Sequence, residues 1–457
     1  MRGYLHKIRW PHYLAVCLMA GVVLAGGFLR ARLRTQSPII IHWITTHQVI
    51  DGFGASATGY VGKFPDEEAS QFFDVEKGLG LSLLRLAIVP GLAQENCRCV
   101  ANNSHYGCVA GSKSQILSGD LRVAQLAVAR GVRVMASPWS PPAEMKSSGE
   151  FCGGGAMKGE AGNYARYAED LADFPMLLKA NGVAIDAISV QNEPDVENSG
   201  YDTARWTGQQ VHDFIPYLSA ALTEKGLGGI KIGASEESEW TFDRLQEAMS
   251  DPAVASRIGI VMGHAYRTER PSGLPESGGR HVWQTEVSDY SKFDGSMTDG
   301  LLWANYIHNY LTIGTNAWLF WSLDCREEFY NQDNNMCLTD KAGHFAKRAY
   351  VLGQYAKFVR PGWQRIGVAN RGGLLVTAYR GPQGGFAVVA VNPGIWPARN
   401  QTFEFSGTTC RTAIRPWLTS ANASLEEKAA ISPASDGASF TYTIPARSVI
   451  TFEGRAD

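Results

Sequence analysis

The sequence predicts a (β/α)8 barrel with an attached antiparallel β-sandwich. The prediction rests on two different patterns of residues along the chain. Between residue 48 and residue 323, eight short β-rich runs alternate with longer segments of helical periodicity. After about residue 365, short strands are instead separated by Gly, Pro, Asn and Ser. Repeated strand–helix alternation is typical of a parallel sheet closed into a barrel, and short alternating strands are typical of a sandwich.

The eight predicted barrel strands are short runs rich in apolar residues. They are QVIDGFGA (48–55), SLLRLAI (82–88), RVMASPWS (133–140), AISVQNEP (187–194), KIGASEES (231–238), IGIVMGHAY (258–266), HVWQTEV (281–287) and NAWLFWSL (316–323). The segments between them have helical spacing, as where Leu121, Ala124 and Val128 fall on one face. Pro175 and Pro216 lie inside two such segments, so we expect breaks or kinks there.

An open, doubly wound sheet is the alternative architecture. It would need a glycine-rich phosphate-binding turn after the first strand, and DGFGAS (51–56) supplies only the first two glycines of that pattern. We therefore predict a catalytic barrel over residues 48–362 and a β-sandwich over residues 363–457. Residues 37–47 read as an N-terminal strand that joins the same sandwich.

The first 36 residues are predicted to lie outside the folded domains. Three basic residues precede an apolar run at 13–29, and three arginines follow it. This pattern is typical of a secretory signal or an uncleaved membrane anchor. We therefore expect an exported protein, secreted or periplasmic, with a membrane tether through residues 13–29 as the alternative to cleavage.

Composition and cysteine content limit the partners. The 457 residues have a net charge of −2, and without a basic excess no nucleic-acid binding is expected.

Seven of the eight cysteines follow the apolar run, which fits export. We predict a Cys325–Cys337 disulfide. Pairing stays open for Cys97, Cys99, Cys108, Cys152 and Cys410. The C-x-C-x8-C spacing of the first three disfavours zinc, and we expect a monomer without metal or cofactor.

Polar and aromatic residues collect where the predicted strands end, which is where barrel enzymes place their reacting groups. In strand order they are Arg85, Trp139, Asn192 with Glu193, Glu236 with Glu237, His264 with Tyr266, Glu286, and Trp318 with Trp321. We interpret Glu236 and Glu237 as partly solvated rim residues. We expect the others to form one ring around the mouth.

The two carboxylates on strands four and seven carry the chemical prediction. If Glu193 and Glu286 stand about 5 to 5.5 Å apart, the pair suits a retaining glycosidase. One must hold a proton for the leaving group and the other must be ionised to attack. Arg85, Tyr266 and Asn192 are candidates to favour the ionised form, and desolvation by Trp139 would favour the protonated form. Pro194 predicts extended backbone at Glu193.

Several stretches resemble glycoside hydrolase family 30. They are SPWSPPAEMKSSG (137–149), ISVQNEPDVE (188–197), GHAY (263–266), WQTEVS (283–288) and KRAYVLGQYAKFVRPGW (347–363). The resemblance implies a retaining β-glycanase without a cofactor, in which Glu193 is the acid/base and Glu286 the nucleophile. It also implies that Asn192 contacts the sugar 2-hydroxyl. Further residues are expected to bind substrate, namely Arg85, Trp139, His264, Tyr266 and Trp321.

The loop at 324–337, DCREEFYNQDNNMC, departs from the glucuronoxylanase members of that family. Those members use an Arg-rich, Tyr-containing stretch there to hold a methylglucuronate branch. Here Arg326 and Tyr330 lie beside Glu327 and Glu328, which would repel a uronate. The expected activity is an endo-β-1,4-xylanase acting on a polysaccharide or oligosaccharide. The alternatives are β-1,6-galactanase, β-1,6-glucanase, an exo-acting β-glucosidase or glucosylceramidase type, or a non-catalytic sugar-binding barrel.

Overall fold

The computed structural model describes residues 37–57, 64–88, 99–102, 105–108, 112–197, 201–325, 334–369 and 372–457. Side chains are described for all of these except 99–102, 105–108 and 112–118. The apolar run at 13–29, predicted as a signal or anchor, lies outside these residues. Among the helices that are described, none is both long and apolar enough to cross a membrane.

Eight parallel strands close a barrel, as the sequence predicts. The chain enters through β1 (Ile39–Val49), which belongs to the side sheet. The strands that follow are β2 (Gly52–Ser56), β3 (Leu83–Ile88), β4 (Cys99–Asn102), β5 (His105–Cys108), β6 (Arg133–Pro138), β7 (Ala187–Ser189), β8 (Lys231–Glu237), β9 (Ile258–His264), β10 (His281–Glu286) and β11 (Ala317–Ser322). All but β4 and β5 pair in chain order around the barrel, and β11 closes on β2. Strands β4 and β5 pair antiparallel with each other and lie between β3 and β6 in the chain.

Helices cover the outside of the barrel and connect most strands. They are α1 (Asp66–Phe73), α2 (Ser112–Val128), α3 (Ala161–Ala180), α4 (Gly208–Glu224), α5 (Gln246–Ser250), α6 (Pro252–Ala255), α7 (Met297–Ile313) and α8 (Lys347–Ala356). The link from β9 to β10, residues 265–280, is described throughout and contains no helix. Helices α3 and α4 run through Pro175 and Pro216, so of the predicted breaks or kinks the breaks are wrong. Buried Phe174 and Leu178, which pack in the barrel core cluster, offset the lost hydrogen bond in α3.

The sequence also explains where two of these helices begin and end. Helix α4 starts at a capping box. The Thr207 side chain accepts from the backbone N–H of Gln210, and the Gln210 side-chain oxygen accepts from the backbone N–H of Thr207. Helix α7 starts where Ser296 accepts from the amide of Thr298. It ends at Gly314, whose φ of 114° is readily adopted by glycine. The two helix starts fix the ends of the loops after β7 and β10 at the barrel mouth, and Gly314 turns the chain into β11 at the opposite end.

The interior of the barrel is apolar toward the N-terminal ends of the strands and polar toward their C-terminal ends, at the mouth. A buried cluster fills the lower interior: Leu83, Met135, Ala187, Ile260, Met262, Trp283, Ala317 and Leu319. Because side chains alternate along a strand, Arg85 lies on the same face of β3 as Leu83, one layer nearer the mouth. Arg85 pairs in register with Ser56 of β2 and Met135 of β6. The strand pattern therefore places a buried arginine directly above the apolar interior.

The remaining strands form the side domain. They are β12 (Gln364–Ala369), β13 (Leu375–Arg380), β14 (Gly385–Asn392), β15 (Ala398–Ser406), β16 (Arg415–Ser420), β17 (Ala423–Glu427), β18 (Ser439–Ile444) and β19 (Ser448–Arg455). With β1 they form one sheet in the order β17-β16-β19-β14-β13-β12-β1-β15-β18. All neighbours pair antiparallel except β1 with β15.

This nine-stranded sheet folds over on itself to enclose a core of its own. Strands β14 and β15 are separated by three others in the sheet, yet the rings of Phe386 and Phe405 lie 5.1 Å apart. Likewise Phe403 of β15 lies 5.2 Å from Phe452 of β19. The predicted sandwich is thus built from a single continuous sheet. Helix α8 joins it to the barrel through Gln354, which is fully buried.

Candidate active site

Arg85 is the centre of the polar layer at the barrel mouth. Its side chain is fully buried, and its Nη1 donates to Glu286 Oε2 at 2.6 Å. Its Nε donates to Glu236 Oε1 at 3.1 Å, and its Nη2 donates to Asn192 Oδ1 at 2.7 Å. The ring of Trp139 lies over the guanidinium, 4.6 Å from Cζ to the ring centroid. One arginine on β3 therefore orients groups from four other strands or strand ends.

His264 is a second buried cation in this layer. Its Nδ1 lies 3.2 Å from Glu193 Oε1, and its Nε2 lies 3.7 Å from Glu236 Oε1 and 3.8 Å from Glu286 Oε2. Burial lowers the pKa of His264, but the charge of Glu286 and hydrogen bonds to Glu193 and Glu236 outweigh burial and raise it to about 10. The imidazole is therefore charged at neutral pH. It braces three carboxylates from a fully buried position.

The interpretation of Glu236 and Glu237 as solvated rim residues is wrong, because both are fully buried. Glu236 turns inward to Arg85 and His264. Burial raises its pKa, but the Arg85 charge and the His264 contact hold that pKa well below its usual value. Glu237 accepts from Thr241 Oγ1 at 2.6 Å and so fixes the loop after β8. Strand-end position alone could not separate an inward carboxylate from a solvated one.

Glu193 does not have the extended backbone that Pro194 predicts. Its φ is 43°, in the left-handed region that non-glycine residues rarely adopt. Two main-chain bonds to neighbouring strands impose this turn: the Asn192 amide donates to Pro138 O at 2.8 Å, and the Glu193 amide donates to Glu236 O at 3.0 Å. Tertiary hydrogen bonds therefore override the local preference. Backbone strain of this kind is common at functional sites.

The Glu193 carboxylate has a partner at each oxygen. Oε1 faces His264, and Oε2 accepts from the Tyr201 hydroxyl at 2.7 Å. Sequence reasoning missed Tyr201, because it lies in the loop after β7 and no strand end marks it. Burial and the Glu193 charge raise the pKa of Tyr201 far above its usual value, so its hydroxyl keeps its proton.

Glu286 is held by Arg85 and by the Tyr266 hydroxyl, which donates to Oε1 at 2.9 Å. One oxygen of Glu193, one oxygen of Glu286 and one ring nitrogen of His264 lie within 4.8 Å of one another. This limit on one oxygen–oxygen distance fits the short carboxyl spacing of retaining glycosidases, about 5 to 5.5 Å, better than the spacing of about 6.5 to 9.5 Å in inverting ones. The same three groups could ligate a cation only if His264 were neutral, and its raised pKa opposes that.

The charges of these buried groups balance only if the catalytic pair holds one proton. Arg85 and His264 supply two positive charges, and Glu236 supplies one negative charge. Burial raises the pKa of Glu286 against the charges of His264 and Arg85. Burial also raises the pKa of Glu193, but hydrogen bonds from His264 and Tyr201 outweigh it and lower that pKa. One shared proton on Glu193 and Glu286 leaves the cluster neutral, which avoids an unpaired buried charge.

Aromatic side chains line the mouth on two sides. Trp139 and Trp321 lie 5.7 Å apart between ring centroids, and both are almost buried. Tyr290, which the sequence analysis did not single out, is 65% exposed and stacks 6.0 Å from Tyr266. Trp318 does not reach the mouth: it packs against Trp303 of α7 between barrel and helix.

The cysteines expected to be bridged, Cys325 and Cys337, form a disulfide. This disulfide packs against Trp139 and Trp321 in one small cluster. Cys152 is also disulfide-bonded, and Cys410 is a buried free thiol. The residues Arg326 and Tyr330, considered for binding a uronate, lie outside the described residues.

Known proteins share sequence and fold with this chain. The family model described as Glycosyl hydrolase family 30 TIM-barrel domain matches residues 116–270. The solved glycoside hydrolase family 30 subfamily 8 xylanase Xyn30A from Clostridium acetobutylicum is 30% identical, with a TM-score of 0.77 over 92% of this chain and 99% of that one. The chain belongs to glycoside hydrolase family 30.

Two further relatives of this glycoside hydrolase carry different substrate names. Glucuronoxylanase XynC of Bacillus subtilis (strain 168) is 28% identical over 455 residues, 96% of each chain. The lysosomal acid glucosylceramidase of Mus musculus is 24% identical over 292 residues, 58% of this chain and 57% of that protein. The resemblance to family 30 is confirmed, and the enzyme acts on a carbohydrate. The relatives' names do not agree on one carbohydrate.

The raised pKa of His264 predicts how the stability of this family 30 enzyme depends on pH. A group whose pKa is higher in the folded than in the unfolded state stabilises most below its unfolded value, and this contribution is lost as pH rises through the folded value. The free energy of unfolding should therefore fall between pH 6.5 and about 10, by up to about 1.4 kcal/mol per pH unit. Urea unfolding of the wild type and of His264→Gln across this window tests the prediction, because the variant should show the flatter dependence. Parallel curves would contradict it.

Proposed function

We propose that the enzyme is a retaining endo-β-1,4-xylanase, with Glu193 as acid/base and Glu286 as nucleophile. The observation that carries the mechanism is the pair of carboxylate oxygens within 4.8 Å, set in a cluster that is neutral with one shared proton. The substrate class is supported by two full-length relatives, one named a xylanase and one a glucuronoxylanase.

In the first step, a Glu286 carboxylate oxygen attacks the anomeric carbon and forms an ester bond. The bond from that carbon to the leaving-group oxygen breaks, and Glu193 gives its proton to this oxygen. In the second step, Glu193 takes a proton from water as the water oxygen attacks the anomeric carbon. The ester bond breaks, Glu286 returns to its carboxylate form and Glu193 is protonated again.

Electrostatic coupling within the pair supports this exchange of roles. Arg85 and Tyr266 both donate to Glu286 and so favour its carboxylate form, against the burial that raises its pKa in the free enzyme. The proposed roles therefore require the shared proton to move to Glu193 when a sugar binds. The negative charge on Glu286 then favours the proton on Glu193. Formation of the ester removes that charge, and the pKa of Glu193 falls just when it must act as a base.

Neighbouring groups would orient the sugar. Asn192 accepts from Arg85 through Oδ1, so its Nδ2 is the part of the amide that we propose contacts the 2-hydroxyl. The exposed edges of Trp139 and Trp321 would contact the apolar face of a pyranose ring. Tyr290, stacked on Tyr266, would extend the aromatic wall beyond the reacting sugar.

Product analysis on a panel of polysaccharides tests the substrate class. We expect glucuronoxylan and arabinoxylan to yield xylo-oligosaccharides with the β-anomer formed first. Because of the acidic loop at 324–337, we expect no dependence on the glucuronate branch. Preferred cleavage of β-1,6-glucan or arabinogalactan, or release of monosaccharide alone, would overturn the xylanase proposal. Binding without turnover would indicate a non-catalytic barrel.

The proposal includes export. Disulfides persist mainly in oxidising compartments, and the described residues contain the Cys325–Cys337 bridge and a bonded Cys152. Both lie in rim loops of the barrel, where a reducing cytosol would leave free thiols. Mass spectrometry of the protein from the culture medium and from cell fractions would show its location.

A further inference from the structure

The two oxygens of Glu193, the proposed acid/base, have different surroundings. Oε1 of Glu193 faces His264, which is fully buried, so this side is closed to the cleft. Oε2 faces Tyr201, which is only partly buried. A leaving-group oxygen approaching from the cleft would therefore meet Oε2. It would share that oxygen with the Tyr201 hydroxyl.

Tyr201 is held in place by the disulfide cluster, which we define as Trp139, Trp321, Cys325 and Cys337. The backbone of Cys337 forms an isolated parallel β-bridge with Ser322 at the end of β11. The disulfide thus joins the chain at Cys325 to a segment that pairs with β11 next to Trp321, and Tyr201 packs against this cluster. The same cluster touches the other half of the site, because the Trp139 ring covers Arg85, the donor to Glu286.

We propose that Tyr201 is a positioning residue for the acid/base, and that the Cys325–Cys337 disulfide fixes the place of its hydroxyl. The proposal rests on the proposed role of Glu193. The hydroxyl directs Oε2 toward the leaving-group oxygen. A tyrosine hydroxyl can donate to a lone pair of Oε2 whether or not that oxygen carries the acidic proton, so Tyr201 can keep this contact through both steps while the proton faces the leaving group.

The other charged groups around Glu193 leave this role to Tyr201. His264 faces Oε1 from β9, and Arg85 acts on Glu193 through its charge from β3. Glu286 lies across the cleft, and the Glu236 backbone holds the amide of Glu193. Among the described residues, Tyr201 is the group that bonds to Oε2.

Tyr201→Phe tests the proposal through its dependence on the leaving group. For xylan and xylo-oligosaccharides, whose leaving groups need a proton, we expect kcat to fall by about tenfold or more, the value of one hydrogen bond to a charged group. For aryl β-xylosides with acidic phenols, which leave without full protonation, the first step should change little. Losing a donor to the ionised form should also move the alkaline limb of kcat/KM to higher pH.

A purely structural role predicts a different pattern. Equal losses on every leaving group, together with an unmoved alkaline limb, would overturn the proposal. Tyr217→Phe, a partly buried tyrosine on α4, is the matched control and should behave as the wild type. Glu193→Gln separates this proposal from the mechanism, because normal xylanase activity in Glu193→Gln would refute the acid/base role itself.

The double variant Cys325→Ser/Cys337→Ser tests the proposed role of the disulfide, with Cys410→Ser as the control. We expect the double variant to show the same selective loss on poor leaving groups as Tyr201→Phe, to a smaller extent, and Cys410→Ser to show none. Variants are preferable to reductant, because Cys152 is also disulfide-bonded. Unchanged leaving-group dependence in a folded double variant would overturn the role of the disulfide.

Discussion

Glu286→Gln is expected to lower kcat on xylan by a factor on the order of 10⁴ to 10⁶, the range seen when a nucleophile or its partner is removed from a hydrolase. The amide cannot form the ester, so the loss should not depend on the leaving group. The fold should persist, because the buried cluster stays neutral: Arg85 and His264 then face ionised Glu193 and Glu236. Steady-state kinetics with thermal unfolding as a control test this prediction.

Glu193→Gln is the matched control for that variant. It removes the proton donor but leaves the nucleophile, so its effect should be large on xylan and small in the first step with activated aryl glycosides. General acid catalysis contributes about 10²- to 10⁴-fold. If both variants depended on the leaving group in the same way, the assigned roles would be wrong. If neither lost activity, this site would not be the catalytic one.

The positions that could be predicted from the sequence are those that strand geometry determines. A parallel barrel brings the carboxyl ends of its strands together, so Arg85, Glu193, His264 and Glu286 could be expected at one mouth from eight short runs alone. Alternation along β3 further fixes Arg85 inward above Leu83. These positions depend on the alternation of side chains along each strand and on closure of the barrel, and both can be inferred from the sequence.

What the sequence could not predict depends on contacts between distant loops. Tyr201 reaches Glu193 from a loop, where it packs against the disulfide cluster. The left-handed turn at Glu193 arises from main-chain bonds to two neighbouring strands, against the preference set by Pro194. Glu236 looked like a solvated carboxylate because its buried partners, Arg85 and His264, lie far away in sequence.

Charge neutrality of the buried cluster explains why so many of its members bind one another instead of substrate. Glu236 makes no proposed contact with the sugar, yet its carboxylate offsets one of two buried cations. Without it, the catalytic pair would have to lose its shared proton to keep the cluster neutral. The balance of Arg85, His264 and Glu236 therefore sets how many protons Glu193 and Glu286 hold.

Arg85→Met tests this balance and should damage stability and activity together. Glu236 and Glu286 would lose their donor, and breaking a buried ion pair from one side costs about 3 to 5 kcal/mol. The cluster would also carry an excess negative charge and take up a second proton. Glu286 would then be largely neutral and lack its strongest donor. We expect kcat/KM to fall by at least about 10²- to 10³-fold, the effect of removing one preorganised donor.

Arg85→Met/Glu236→Gln separates the two consequences, because the second substitution removes the excess charge. With His264 positive and one proton on the catalytic pair, the cluster is neutral again, so part of the lost free energy of unfolding should return. Activity should not return, since Glu286 still lacks the Arg85 hydrogen bond. Urea unfolding and xylan kinetics on the single and double variants measure both. A double variant no more stable than Arg85→Met would show that hydrogen-bond geometry, and not charge balance, determines stability at this mouth.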